Sequence, residues 1–129
     1  MRVLLDTQVW LWMLAAPERL APATQRLVTL ADNELVLSAA SAWEIAIKHA
    51  LGKVRLTDPP DQVVPELMNR TGVVPLPVLH IHALRVATLP LKHRDPFDRL
   101  LVAQAQIEGL PILSSDRSFG LYDVEVLPA

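Results

Sequence analysis

Five acidic residues hold most of the chemistry that this sequence offers. Asp95 and Asp98 lie within Lys92-His93-Arg94-Asp95-Pro96-Phe97-Asp98-Arg99, and Asp6, Glu44 and Asp116 stand far from them in the chain. Each has an ordinary use. Asp95 is a natural N-cap with Pro96 at the first helical position, and Asp98 then meets the positive end of the helix dipole. As a helix start the two are worth about 1 kcal/mol. Asp6 can turn the chain, and Asp116 can cap the short segment from Arg117 to Leu121. Glu44 can complete a Ser41-x-x-Glu44 capping box or pair with Lys48 one turn on. Gathered at one place, Asp6, Glu44, Asp98 and Asp116 would do something else. Unneutralised carboxylates at close range repel strongly in a partly buried cleft, and a hard divalent cation resolves that repulsion. Magnesium or manganese, held by a few carboxylates with several waters retained, fits an all-oxygen set.

The elements that must position these acids alternate along the chain. Arg2 to Leu5 reads as a buried strand stopped by Asp6-Thr7, and Val9 to Leu14 as a helix apolar all round, closed by Pro17. Pro22 to Ala31 reads as a helix with Leu27, Leu30 and Ala31 on one face, and Glu34 to Leu37 as a second strand. Ser38 to Leu51 is expected to be a helix with Trp43, Ile47, Ala50 and Leu51 as its core stripe, ended by Gly52. After Asp58-Pro59-Pro60, a helix either starts there and kinks at Pro65 or truly begins at Pro65. Gly72 ends that unit. Val73 to Leu76 is a third strand, His80 to Thr88 a modest helix, and Pro96 to Glu108 a long one ended by Gly109. Ile112-Leu113 is a fourth strand and Val124 to Val126 a fifth.

Brief apolar strands alternating with helices predict an α/β fold, with a mainly parallel sheet of about five short strands covered by helices on both faces. Ligands in such sheets sit at the carboxyl ends of the strands. Asp6 follows the first strand and Asp116 the fourth, while Glu44 lies on the helix leaving the second strand and Asp98 at the start of the helix entering the fourth.

Composition sets the outer limits. A chain of 129 residues, 51% apolar and 20% charged, is expected to form one domain spanning 1–129 with a proper core. There is no cysteine, so neither a disulfide frame nor a thiolate zinc site is available. The longest apolar run, Val9 to Ala16, is far short of the roughly 18 residues that a membrane span needs. No basic segment precedes a signal-like core, so a soluble, cytoplasmic protein is expected. A net charge of -2 argues against gripping nucleic acid by bulk electrostatics, though not against local phosphate contacts.

Four blocks carry a resemblance. Leu4-Leu5-Asp6-Thr7-Gln8-Val9-Trp10, Ser41-Ala42-Trp43-Glu44-Ile45-Ala46-Ile47-Lys48, His93 through Leu101 and Ser114-Ser115-Asp116 look like the PIN-domain nucleases, most of all the VapC-type toxins of bacterial toxin–antitoxin pairs. The blocks occur in the family's order and cover nearly the whole chain. The resemblance implies a PIN-like three-layer α/β/α fold. It also implies a magnesium-dependent ribonuclease, usually a homodimer, held inactive by a cognate antitoxin. The family's acids carry over onto Asp6, Glu44, Asp98 and Asp116. Asp95 is kept as helix cap or outer support, alongside Thr7 and Ser114, the last standing where many relatives have threonine. Cleavage leaving a 3′-hydroxyl and a 5′-phosphate is implied as well.

On this reading Asp6, Asp98 and Asp116 hold one or two metals, and Glu44 binds a second ion or orients water, supplying what phosphodiester cleavage needs. Lys48, Lys53, Arg55, Arg94, Arg99 and Arg117 are candidates for RNA phosphates, with ordinary surface charge as the alternative for each. His93 is expected to be a solvated side chain beside a helix cap. His80-x-His82 is rejected as a zinc site, because two residues apart on a helix do not face one way. Val9 to Leu14 is either core or a surface for the dimer or the antitoxin. Two rivals remain: a PIN-like scaffold that binds RNA or protein without catalysis, and a receiver-like signalling module. The receiver would want an acidic pair beside the first strand and an aspartate after the third. Here Leu5 precedes Asp6, and Val73 to Leu79 contains no acid.

Overall fold

Five short parallel strands form one sheet in the order β3-β2-β1-β4-β5. The structure is a computed structural model and describes residues 1–129. The strands are β1 (Arg2–Leu5), β2 (Glu34–Ser38), β3 (Val74–Leu76), β4 (Ile112–Ser114) and β5 (Val126–Pro128). In register, Val3 lies opposite Leu35, Leu4 opposite Val36 and Leu5 opposite Leu113. The helices are α1 (Thr7–Ala15), α2 (Pro22–Thr29), α3 (Ala39–Ala50), α4 (Pro60–Thr71), α5 (His80–Arg85) and α6 (Pro96–Glu108), with short 3-10 turns at Pro17–Arg19, Val86–Thr88 and Arg117–Leu121.

Strand residues alternate between two cores, which is why the strands read as unbroken apolar runs. Val3, Leu5, Leu35, Leu37 and Leu113 face Val9, Trp10, Ile45, Val63 and Val64. Leu4, Val36, Leu76 and Ile112 face the other way, toward Leu101, Val102, Ala105 and Phe119. The result is the three-layer α/β/α architecture. Prolines in the strands sit only at the two sheet edges, Pro75 in β3 and Pro128 in β5, where a missing N–H is tolerated. With β1 between β2 and β4 and β3 at an edge, the receiver-like order, in which the third strand flanks the first, is excluded.

Local expectations need correction at several points. The inward face of α3 is Ala40, Ser41, Glu44 and Ile45, whereas Trp43 is 60% and Leu51 64% exposed. Ser38, not Ser41, caps the helix by accepting from the Ala40 N–H. In α2 the chain leaves the helix at Thr29, so Leu30 and Ala31 are exposed and Thr24, Leu27 and Val28 turn inward. The fourth helix starts at Pro60 and runs through Pro65, giving up one intrahelical bond. The last strand lies at Val126–Pro128, two residues later than expected, because Val126 must pair opposite Ile112. Along Val9 to Leu14, Val9 and Trp10 are buried and Leu11 to Leu14 half-buried against the same core. No helix is long and apolar enough to cross a membrane.

Candidate active site

Connections from β1 lead to β2 on one side, whereas β4 pairs on the other, so the sheet changes direction between β1 and β4. A crevice opens at the carboxyl ends of strands at such a point. Asp6 follows β1 directly, and Asp116 follows β4 by two residues. Crossover helices run back against the strands, so α3 begins and α6 begins at this same end of the sheet. Glu44 and Asp98 therefore arrive from two further elements. A cleft of about 250 Å³ is lined by Asp6, Thr7, Glu44, Lys48, Asp95, Asp98 and Asp116, with Gln8, Leu11, Ile45, Val54 and Ser115 completing its wall.

One hydroxyl links the two strand-end acids. Ser114 Oγ donates to Asp6 Oδ2 at 2.8 Å and accepts from the Asp116 N–H at 2.9 Å. Burial pushes the Asp6 carboxyl above its usual range, with the charges of Glu44 and Asp116 adding to it; the Ser114 hydrogen bond opposes the shift. Asp116 is exposed and goes the other way. Its Oδ1 accepts from the backbone N–H and hydroxyl of Ser118 at 2.9 and 2.8 Å, which lowers its pKa and caps the turn that follows.

Asp98 is held by its neighbours in the first turn of α6. Asp95 Oδ1 accepts from the N–H groups of Phe97 and Asp98 at 2.9 and 3.3 Å, the N-cap that its position suggested. Burial raises the Asp98 pKa to about 6, with the charges of Asp95 and Asp6 contributing. His93 opposes this. Its Nε2 lies 2.8 Å from Asp98 Oδ2, so it is a partner of the site rather than the solvated side chain expected. No periodicity in the loop before α6 signalled this contact. One ligand atom each from His93, Asp98 and Asp116 lie within 4.8 Å of one another, as a metal site requires.

Glu44 is buried and takes a charged partner. Lys48 Nζ donates to Glu44 Oε2 at 2.7 Å, and this bond, with the charges of Glu44, Asp95 and Asp98, raises the lysine pKa. Thr7 Oγ1 donates to Ser41 Oγ at 2.8 Å and ties the start of α1 to α3 beneath the acids. Ser41 is therefore a strut between helices, not half of a capping box.

The remaining candidates scatter. Arg99 spends its guanidinium on the carbonyls of Pro90 and Val86 and on the Tyr122 hydroxyl, fastening the loop before α6. Arg94 lines a second, more open hollow with Leu91, Lys92, His93 and Arg99. Arg117, Lys53 and Arg55 are exposed and outside the cleft. His82 is fully buried, with Nε2 3.0 Å from Glu108 Oε1 and Nδ1 accepting from the Leu79 N–H, while His80 is exposed. The two do not meet. Sequence reasoning also missed Trp43, whose ring meets Phe97 edge-on with centroids 5.2 Å apart.

Comparison with known proteins follows the same outline. Residues 3–125 match the PIN domain family. Over 59 residues, 46% of this chain, the sequence is 48% identical to Ribonuclease VapC16 of Mycobacterium tuberculosis, a match that spans only 42% of that protein. Ribonuclease VapC22 of the same organism is 32% identical over 118 residues, covering 89% of this chain and 87% of that protein. In fold, a chain of VapBC2 from Rickettsia felis, solved bound to a promoter DNA fragment, is similar over 100% of this chain and 99% of its own, with a TM-score of 0.75 and 12% identity. A chain of VapBC-1 from nontypeable Haemophilus influenzae gives 0.65 at 20% identity, covering 99% and 98%.

Proposed function

The chain belongs to the PIN domain family, and on that footing we propose that it is a ribonuclease that hydrolyses RNA phosphodiester bonds with a divalent cation. One observation carries the reading: carboxylates from four separate elements line a single cleft at the switch point of the sheet. Burial and their mutual charge hold Asp6 and Asp98 above the usual carboxylate range. Cores do not gather such groups for stability, because each costs free energy until a cation arrives.

The donor set fits magnesium, with manganese the alternative. Asp98 and Asp116 offer hard oxygens within 4.8 Å of one another and of His93, and Asp6 and Glu44 offer others on the same cleft, as magnesium and manganese prefer. Held there, the ion supplies positive charge against the charge that develops on the scissile phosphate. The protein's own groups prepare the place. Ser118 occupies Oδ1 of Asp116, and Oδ2 takes no hydrogen bond from the protein. Ser114 fixes the Asp6 carboxyl, and the Asp95 cap fixes the backbone that carries Asp98. Glu44 and Lys48 place a paired acid and cation on the same wall, where Lys48 attracts a phosphate and Glu44 orients the attacking water.

The relatives named VapC are ribonucleases, and the similar folds come from VapBC complexes. This supports a toxin inhibited by a cognate antitoxin; that it acts in the cytoplasm as a homodimer is part of the proposal and rests on the family resemblance. Since Val9 and Trp10 are taken by the core, contacts made through α1 fall to Leu11 through Leu14. The deciding experiment incubates the purified chain with RNA across a magnesium titration and after exhaustive chelation. Cleavage that follows the metal is expected; undiminished cleavage in chelator sinks the mechanism. Expression alone should arrest growth, and co-expression of a cognate antitoxin should rescue it. A folded, abundant and harmless chain would favour the non-catalytic scaffold.

A further inference from the structure

Trp43 is the one indole that the fold leaves largely open: Trp10 is buried, Trp12 is half-covered, and Trp43 is 60% exposed. It is nevertheless held in place. Phe97 meets it edge-on, with ring centroids 5.2 Å apart and planes at 71°. An edge contact of this kind fixes a ring while leaving much of its surface free. The pair also has a particular address. Trp43 immediately precedes Glu44 on α3 and Phe97 immediately precedes Asp98 on α6, and both acids line the cleft. The aromatic pair therefore bridges α3 and α6 beside the acids.

The surroundings decide what such a ring would meet. Lys48 stands one turn beyond Glu44 on α3, and Lys92 and Arg94 are exposed in the loop leading into α6. An exposed, pre-fixed aromatic beside a cleft that carries a lysine, with further cations in the segment leading to its partner Phe97, offers what a single strand of RNA requires: a ring for a base, cations for the phosphates. We propose that Trp43 is a stacking platform for one nucleobase of the single-stranded RNA bound beside the scissile phosphate. The proposal rests on the ribonuclease reading and adds a contact for the base to a site that otherwise addresses only the backbone. Because Trp43 is already fixed by Phe97, little ordering is left to oppose the stack.

The test measures binding in chelator, where no cleavage competes. The probes are a short labelled single-stranded RNA of mixed sequence and the same strand made abasic. Trp43→Leu keeps apolar bulk without a π-face, and Trp43→Phe keeps a smaller one; the position is open enough for the fold to survive either change, which circular dichroism checks. Trp43→Leu is expected to weaken binding of the base-bearing strand roughly tenfold, the scale of a single base–aromatic stack, with Trp43→Phe intermediate. The abasic strand should bind parent and Trp43→Leu alike, and only the base-bearing strand should quench the parent's tryptophan emission. Parental affinity of Trp43→Leu for the base-bearing strand overturns the proposal. So does an equal loss for both strands, or parental RNA binding combined with weakened capture of a partner protein. Cleavage by the parent with magnesium is scored separately. Its absence overturns the ribonuclease reading, while the binding comparison still decides the stack.

Discussion

Lys48 donates to Glu44 across one turn of α3 at 2.7 Å, joining a lysine side chain that is 46% exposed to a glutamate that is 8% exposed. The pair is lopsided: one end stands in solvent and the other in a cleft of acids. Glu44→Gln keeps the shape and a hydrogen-bond acceptor for Lys48 but removes the charge. The variant is expected to fold with near-parental stability, lose most RNA cleavage and bind magnesium more weakly by calorimetry. Parental activity across the whole magnesium titration would reduce the site to three aspartates.

Asp6→Asn and Asp98→Asn each remove one charge from a repelling set. Cleavage should be lost while the metal-free protein melts at or above the parental temperature. For Asp98→Asn a small opposing contribution from the helix dipole, about 0.5 kcal/mol, reduces the gain. If both variants melt far below the parent in chelator, the acids are structural and the reading fails.

The pH dependence has a definite sign. Asp98 titrates near 6 when folded and about 3.9 when unfolded. Between those values the folded state keeps a proton that the unfolded chain has released, so metal-free stability falls as pH rises through the window and levels off above it. Asp6, also raised, acts in the same direction. Asp116, lowered, contributes stability that is lost only under stronger acid. Thermal melts in chelator should show the parent losing stability from about pH 4 to pH 6, with a shallower decline for Asp98→Asn. Magnesium affinity should rise over the same window, because the ion must displace the proton. A parent whose metal-free stability climbs through that window contradicts the assignment.

Ser114→Ala deletes the hydroxyl that donates to Asp6 and accepts from the Asp116 N–H. The expected result is about 1 kcal/mol lost in denaturant melts and weaker magnesium binding, since Asp6 is left harder to ionise. Ser114→Thr keeps the hydroxyl and should retain activity. Equal metal affinity in parent and alanine variant would show that the serine serves packing alone.

What could be read from sequence was local. The end of β1 at Asp6 and the Asp95-Pro96 start of α6 depend on neighbours a few residues away, and both stand as expected. The face of α3 depended on tertiary context. Apolar periodicity assigned Trp43 and Leu51 to the core, yet the acid cleft draws Glu44 inward and leaves the apolar residues outside. β5 was misplaced because its register comes from β4, and pairing partners leave no trace in a single strand. His93 lies in a loop without periodicity, so its contact with Asp98 had no local sign.

The central strand of the sheet comes first of its five strands along the chain, and its second neighbour, β4, begins more than a hundred residues later. A nascent chain in which β4 is still inside the ribosome has Asp6 and Glu44 but neither Ser114 nor Asp116, and one flank of β1 is open. The last of the four carboxylates thus joins the site only after more than a hundred residues have followed Asp6. Closing the acid cleft is therefore a long-range event of folding, which no local segment completes by itself.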